Sequence, residues 1–229
     1  MAVARAAALA AVLLLAGGAA APPGLGAEEV FVDRAAEAGI DFVHFNGMSG
    51  ELYFAEMMGA GAALFDYDGD GDLDVYLVQG TMLGEGKRIE DAVFPPRHPL
   101  PLSDRLYRND LEVRPDGTRV LRFTDVTEES GIARLARGYG MGVAAGDYDN
   151  DGHLDLYLTN LGPNQLLRNN GDGTFSDVTE ETGTGDPLWG VPAVFFDYDR
   201  DGWLDLFVGN YVDFRIATHK PCTSPAGAR

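Results

Sequence analysis

The chain has 229 residues, of which 45% are hydrophobic and 30 are glycine, so it is long enough for a packed core and rich in turns. Its 36 acidic residues outnumber its 17 basic residues, and the formal net charge is -19. This balance excludes nucleic acid as a partner and disfavours anionic lipid surfaces, because binding to either needs Lys and Arg side chains to neutralise the phosphate groups. An acidic chain instead suits a protein that binds cations.

The first 27 residues have the organisation of a signal peptide. Arg5 provides a positive start, and residues 6–15 form an apolar stretch that is too short to cross a bilayer. Small residues precede a cleavage site after Ala27, and Ala21 ends a second, weaker candidate because a proline follows it. We therefore predict that residues 1–27 are removed on export.

The remainder of the chain, residues 28–229, contains no apolar run of the ~18 residues that a transmembrane helix needs. We expect it to be exported to the periplasm, the cell surface or the medium. Its single cysteine, Cys222, excludes a disulfide framework within the chain, and an odd cysteine in an exported protein indicates a partner elsewhere.

An internal repeat organises the mature chain. Three stretches align without gaps, and their acidic loops begin at Asp66, Asp147 and Asp197. Each loop is followed by an alternating apolar segment such as residues 154–158, and later by a Phe-x-Asp-Val-Thr segment such as residues 175–179. Short segments of this composition, bounded by Gly, Asn and Asp, predict strands and turns.

Four short strands in each unit of ~45 residues predict the blades of a β-propeller, so the expected fold class is all-β. The predicted blade repeats cover about residues 57–127, 138–179 and 188–229. The first repeat is longer because a proline-rich insertion, residues 81–104, interrupts it. We interpret the insertion as a surface loop, which is either a binding loop or functionally idle.

The acidic loops predict calcium sites. Aspartates stand at loop positions 1, 3, 5 and 9, a glycine at position 6 permits the sharp turn, and the residue at position 7 offers its backbone carbonyl. Calcium prefers six to eight oxygen ligands, which carboxylates and carbonyls supply, whereas zinc and copper favour nitrogen or sulfur. The predicted ligands are Asp66, Asp68, Asp70, Asp72 and Asp74 in the first loop, Asp147, Asp149, Asp151, His153 and Asp155 in the second, and Asp197, Asp199, Asp201, Trp203 and Asp205 in the third.

Two alternatives compete with this interpretation. An EF-hand needs a glutamate at position 12, but that position is Leu77, Leu158 or Val208, each within a strand-like segment. Acidic turns that bind no metal are the other alternative, and three aligned copies argue against them.

The repeats resemble FG-GAP/VCBS repeats, the calcium-loop blades of integrin α-subunit propellers. Residues 51–61 and 138–149, which lead into the first two loops, further resemble bacterial relatives of cartilage acidic protein in the ASPIC/UnbV-associated family. The resemblance runs from about residue 30 to the end. It implies a seven-bladed propeller followed by a C-terminal ASPIC/UnbV domain, so we expect this chain to be an N-terminal fragment without the remaining blades and that domain.

Three functions fit these features. The leading hypothesis is a recognition, adhesion or scaffolding module that binds a protein or glycan, with calcium as a structural ion. The alternative is a propeller hydrolase or lyase whose active site lies in further blades. A calcium-stiffened spacer is the third. No hydrolase or metalloprotease motif is visible in the sequence, so we predict that this chain is not an enzyme.

Overall fold

The computed structural model describes residues 32–97 and 101–220. The predicted signal peptide and Cys222 lie outside the described residues. Within these ranges the structure is mostly antiparallel β-sheet, which confirms the all-β expectation at this level. None of the described helices has the length and apolar character that a membrane crossing requires.

The described residues form twelve strands and a few single-turn helices. The strands are β1 (Ala62–Phe65), β2 (Asp74–Leu77), β3 (Arg105–Asn109), β4 (Glu112–Val113), β5 (Arg119–Val120), β6 (Phe123–Asp125), β7 (Gly140–Gly146), β8 (Asp155–Asn160), β9 (Gly162–Asn169), β10 (Phe175–Asp177), β11 (Gly190–Phe196) and β12 (Asp205–Asn210). The α-helices are α1 (Ala35–Ala38), α2 (Ile132–Leu135) and α3 (Thr179–Thr182), and 3-10 turns occur at Phe54–Met57, Ile89–Asp91 and Ile216–Thr218.

The strands assemble into repeated sheets. Sheet 1 has the order β1-β2-β3-β6, sheet 2 has the order β7-β8-β9-β10, and sheet 3 is the pair β11-β12. A small hairpin, β4-β5, lies between β3 and β6 in the sequence. Sheets 1 and 2 thus have the four strands predicted for a repeat, whereas the third repeat contributes two strands among the described residues. The described sheets do not close into a ring, so the propeller arrangement stays a prediction.

The short helices were not predicted from the sequence. Gly183 directly follows helix α3, and Gly39 directly follows helix α1, each with a positive φ (68° and 94°). Gly131, with φ of 83°, precedes α2. These glycines permit the left-handed turns that redirect the chain at a helix end.

The core lies between neighbouring sheets, because strand β8 buries side chains on both of its faces. Leu156 and Leu158 pack against sheet 1 in a cluster that includes Tyr76 and Leu106. Tyr157, between them in sequence, packs on the opposite face with residues of sheet 3. The period of two that alternates these side chains is the strand signal that the sequence carries.

Candidate metal centres

The three acidic loops occupy equivalent places in the fold. We name them loop 1 (residues 66–74), loop 2 (147–155) and loop 3 (197–205), and each connects the first and second strands of its sheet. The strand pairs that frame the loops are in the same register, with Phe65 opposite Asp74, Gly146 opposite Asp155, and Phe196 opposite Asp205. The sequence repeat is therefore a structural repeat.

The loop backbones also share their unusual conformations. Position 6 has left-handed φ values of 91°, 91° and 90° at Gly71, Gly152 and Gly202. Position 4 is left-handed as well, although two of the loops place the non-glycine residues Asn150 and Arg200 there. A left-handed conformation costs free energy for a residue with a Cβ, so its presence at Asn150 and Arg200 indicates that closure of the loop imposes it.

The first aspartate of each loop organises the turn. In loop 1, Oδ1 of Asp66 accepts hydrogen bonds from the backbone N–H groups of Gly69 (2.8 Å) and Asp70 (3.1 Å), and Oδ2 accepts one from Gly71 (2.9 Å). The first aspartates of loops 2 and 3 likewise accept from the N–H groups of positions 5 and 6, at 2.9–3.2 Å. A turn wound around one carboxylate brings the side chains of alternate positions together.

The aspartate at position 9 is the buried anchor of loops 1 and 2. Oδ2 of Asp74 accepts the Tyr67 N–H at 2.8 Å, and its Oδ1 accepts the Asn109 N–H at 2.8 Å. Asp155 has the equivalent bonds, from Tyr148 at 3.0 Å and from Asn169 at 2.8 Å. Both carboxylates are fully buried, and burial raises the pKa of each to about 6. A nearby cation would favour their ionised form.

Asp205, the position-9 aspartate of loop 3, differs from the other two because it is exposed. Its Oδ2 accepts the Tyr198 N–H at 2.7 Å, as in the other loops. No strand follows β12 within the described part of the chain to supply the second amide.

Each loop brings three carboxylates together. One oxygen from each member lies within 4.8 Å of the others in the groups Asp66–Asp68–Asp70, Asp147–Asp149–Asp155 and Asp197–Asp199–Asp205. Burial raises the pKa of Asp68, and the neighbouring Asp70 carboxylate raises it further. Crowded carboxylates of this kind repel one another unless a cation lies between them.

Loop 2 also contains an unsatisfied ligand atom. Oδ1 of Asp149 is buried and has no hydrogen-bond partner among the described residues. A buried carboxylate oxygen without a donor is costly, and a cation removes that cost. The all-oxygen donor set and this atom together fit a hard cation such as calcium.

The remaining predicted ligands have more varied positions. Asp74 is outside the tight group of loop 1, whereas Asp151 and Asp201 are outside those of loops 2 and 3. At position 7, the N–H groups of Asp72, His153 and Trp203 each donate to the position-5 carboxylate at 2.9 Å. The His153 ring lies against Gly171, and Trp203 is 55% exposed.

Sequence reasoning missed the contribution of Asn109 and Asn169. Both end a Leu-x-Arg-Asn segment that repeats in the sequence, at residues 106–109 and 166–169. Their backbone amides hold the position-9 aspartates, and their side chains are buried. The repeated motif was the available signal, but its hydrogen bonds depend on how the third strand pairs with the second.

Residues 147–208 match the family model for an FG-GAP-like repeat. The match begins at the first aspartate of loop 2 and ends at Val208 in β12, so it covers loop 2, strands β8 to β11, loop 3 and part of β12. An FG-GAP-like repeat is therefore present in the chain. The comparison with curated proteins gives no match.

Proposed function

We propose that this chain is an exported calcium-binding repeat protein that serves as a recognition, adhesion or scaffolding module for a protein or glycan. Calcium acts as a structural ion in its three loops. The observation that carries the proposal is the convergence of three carboxylates in every loop, and the buried oxygen of Asp149 without a donor in loop 2 adds to it. The FG-GAP-like repeat supports a recognition or adhesion role.

In this proposal the residues of each loop have distinct tasks. The aspartates at positions 1, 3, 5 and 9, together with the carbonyl at position 7, provide oxygens for the ion. The backbone amides that donate to positions 1 and 9 hold these carboxylates in place before the ion arrives. Calcium would neutralise the loop carboxylates and remove the repulsion between them, which would stabilise the pairing of the two strands that the loop connects.

The propeller architecture belongs to the same proposal. Strand β7 contacts both β1 and β11, so the first strands of successive sheets pack side by side as in neighbouring blades. Tyr76 is buried against sheet 2 and Tyr157 against sheet 3, but the equivalent Phe207 is 57% exposed. The exposed face of sheet 3 supports a further blade beside it. We propose further that the chain is related to the ASPIC/UnbV-associated family, on the sequence resemblance of residues 51–61 and 138–149.

Calcium titration of the chelator-stripped mature chain by calorimetry tests the function, with thermal melting followed in parallel. We expect one ion for each of the three loops and a melting temperature that rises with calcium concentration, because an ion bound only by the folded state stabilises it. Magnesium at the same concentrations is the control and should bind more weakly. A chain with native β-sheet circular dichroism that binds no calcium would contradict the proposal.

A further inference from the structure

A series of buried hydrogen bonds connects loop 1 with loop 2. The Tyr67 N–H donates to Asp74 Oδ2 (2.8 Å), and the Tyr67 carbonyl accepts a bond from Asn169 Nδ2 (2.7 Å). The Asn169 N–H then donates to Asp155 Oδ1 (2.8 Å). All four residues are at most 5% exposed. The position-9 carboxylates of two different sheets are thus joined through only two residues.

The side chain of Asn169 is fixed by contacts on both sides. Its Oδ1 accepts the Gly171 N–H at 3.0 Å, and its Nδ2 also reaches the Leu154 carbonyl of loop 2 at 3.2 Å. A rotation of this amide would therefore break bonds to both loops at once. Buried networks in which each member is satisfied respond as a unit.

Asn109 occupies the same place in sheet 1 without the connection. Its N–H donates to Asp74 Oδ1 at 2.8 Å, as the Asn169 N–H does to Asp155. Its Nδ2, however, donates to the Leu73 carbonyl of its own loop at 3.1 Å. Asn109 thus has the local role of Asn169, and within the described residues it makes no side-chain bond to another sheet.

We infer that Asn169 is a positioning residue that couples loops 1 and 2, so that a calcium ion bound in one loop raises the affinity of the other. The inference rests on the proposed calcium function. An ion in loop 2 holds Asp155 in place and thereby orders Asn169. The Asn169 amide then fixes the Tyr67 carbonyl, whose peptide group continues into Asp68 of loop 1. Loop 1 therefore loses less conformational entropy when it binds its own ion. The coupling is reciprocal, so an ion in loop 1 raises the affinity of loop 2 by the same factor.

NMR titration can follow each loop separately in the intact chain. The Gly71 and Gly152 N–H groups donate to the first aspartates of loops 1 and 2, so their amide resonances report the ion in each loop. The substitution Asp149→Asn disables loop 2. We expect it to weaken calcium binding in loop 1 about fivefold, which corresponds to a coupling free energy equal to the net contribution of one hydrogen bond.

The same disabling substitution is then repeated in two further backgrounds. In an Asn169→Ala chain it should change the loop 1 affinity less than about twofold, because the connection is gone. In an Asn109→Ala chain the roughly fivefold effect should persist, since Asn109 does not cross between sheets. If Asn169→Ala does not fold, Asn169→Ser retains an oxygen to accept the Gly171 N–H and takes its place.

Three results would overturn the inference. In the first, disabling loop 2 leaves the loop 1 affinity of the native chain unchanged. In the second, Asn169→Ala lowers the melting temperature and both affinities, but the effect of loop 2 on loop 1 remains, as a purely structural role predicts. The third is a folded native chain in which neither glycine resonance responds to calcium, and this result alone would also remove the proposed function.

Discussion

At the scale of single residues, Asp104 is a buried carboxylate outside the acidic loops. It lies at the end of the insertion, where its Oδ2 accepts the Tyr76 O–H at 2.7 Å and its Oδ1 accepts the Gln79 N–H at 2.8 Å. Burial raises its pKa from 3.8 to about 6, although both hydrogen bonds oppose the shift. The folded protein therefore binds a proton between pH ~4 and pH ~6 that the unfolded chain does not bind.

The direction of the pH dependence follows from this difference. As the pH rises through that window, the folded state must ionise a buried group, so the contribution of Asp104 to the free energy of unfolding falls by about 2–3 kcal/mol. The substitution Asp104→Asn should remove the effect, because the amide oxygen can accept the Gln79 N–H and the amide nitrogen can donate to the Tyr76 hydroxyl. We expect the variant to be more stable than the native chain at pH 7 and similar to it at pH 4.

Urea unfolding between pH 4 and pH 7, with chelator present throughout, measures this difference. Glu85→Gln, at an exposed position of the same insertion, controls for the loss of one negative charge. A variant Asp104→Asn that is less stable than the native chain at pH 7 would show that the ionised carboxylate stabilises the fold, contrary to the prediction.

At the scale of strands and sheets, close backbone contact sets the distance between sheets 1 and 2. A Cβ added to Gly61, just before β1, would lie 2.8 Å from the Cα of Gly142 in β7. A methyl group there must separate the two sheets, so Gly61→Ala should lower the free energy of unfolding by about 1–3 kcal/mol. Gly59 is a matched control because a Cβ there meets nothing within 4 Å.

Thermal and urea unfolding of the two alanine variants compare these positions directly. Gly59→Ala should stay within about 0.5 kcal/mol of the native chain. Equal destabilisation by both substitutions would mean that backbone freedom, rather than sheet contact, accounts for the loss at Gly61.

These elements also show how far the sequence can be interpreted. The period-two pattern around Leu156 predicted strands, and the aspartate spacing predicted the loops, because both depend on local geometry. Nothing in the local sequence distinguishes Gly61, where a Cβ would meet another sheet, from Gly59, where it would meet nothing within 4 Å. The bond from Asn169 to Tyr67 joins residues far apart in the chain, and no local pattern contains that information. The aspartate spacing likewise contains no signal that Asp74 and Asp155 are buried.

At the scale of the whole molecule, the net charge of -19 acts on the metal-free protein. Much of that charge lies in the three acidic loops, and in each loop three carboxylates have oxygens within 4.8 Å of one another, so repulsion is concentrated where first and second strands meet. Salt weakens such repulsion, since the Debye length falls from about 10 Å at 0.1 M to about 3 Å at 1 M. Under the proposed function, calcium would remove the same repulsion by direct neutralisation.

Salt and calcium should therefore substitute for one another in part. Between 0.1 M and 1 M choline chloride, we expect the melting temperature of the metal-free chain to rise about 2–4 °C more than that of the calcium-saturated chain, as for ~1 kcal/mol of relieved repulsion. Choline is too large to enter the loops. A similar rise in melting temperature with sodium chloride would therefore show that screening, rather than ion binding, causes the rise. A larger rise with sodium would reveal that sodium binds in the loops. Equal salt dependence with and without calcium would contradict the argument, because the repulsion would then lie outside the loops.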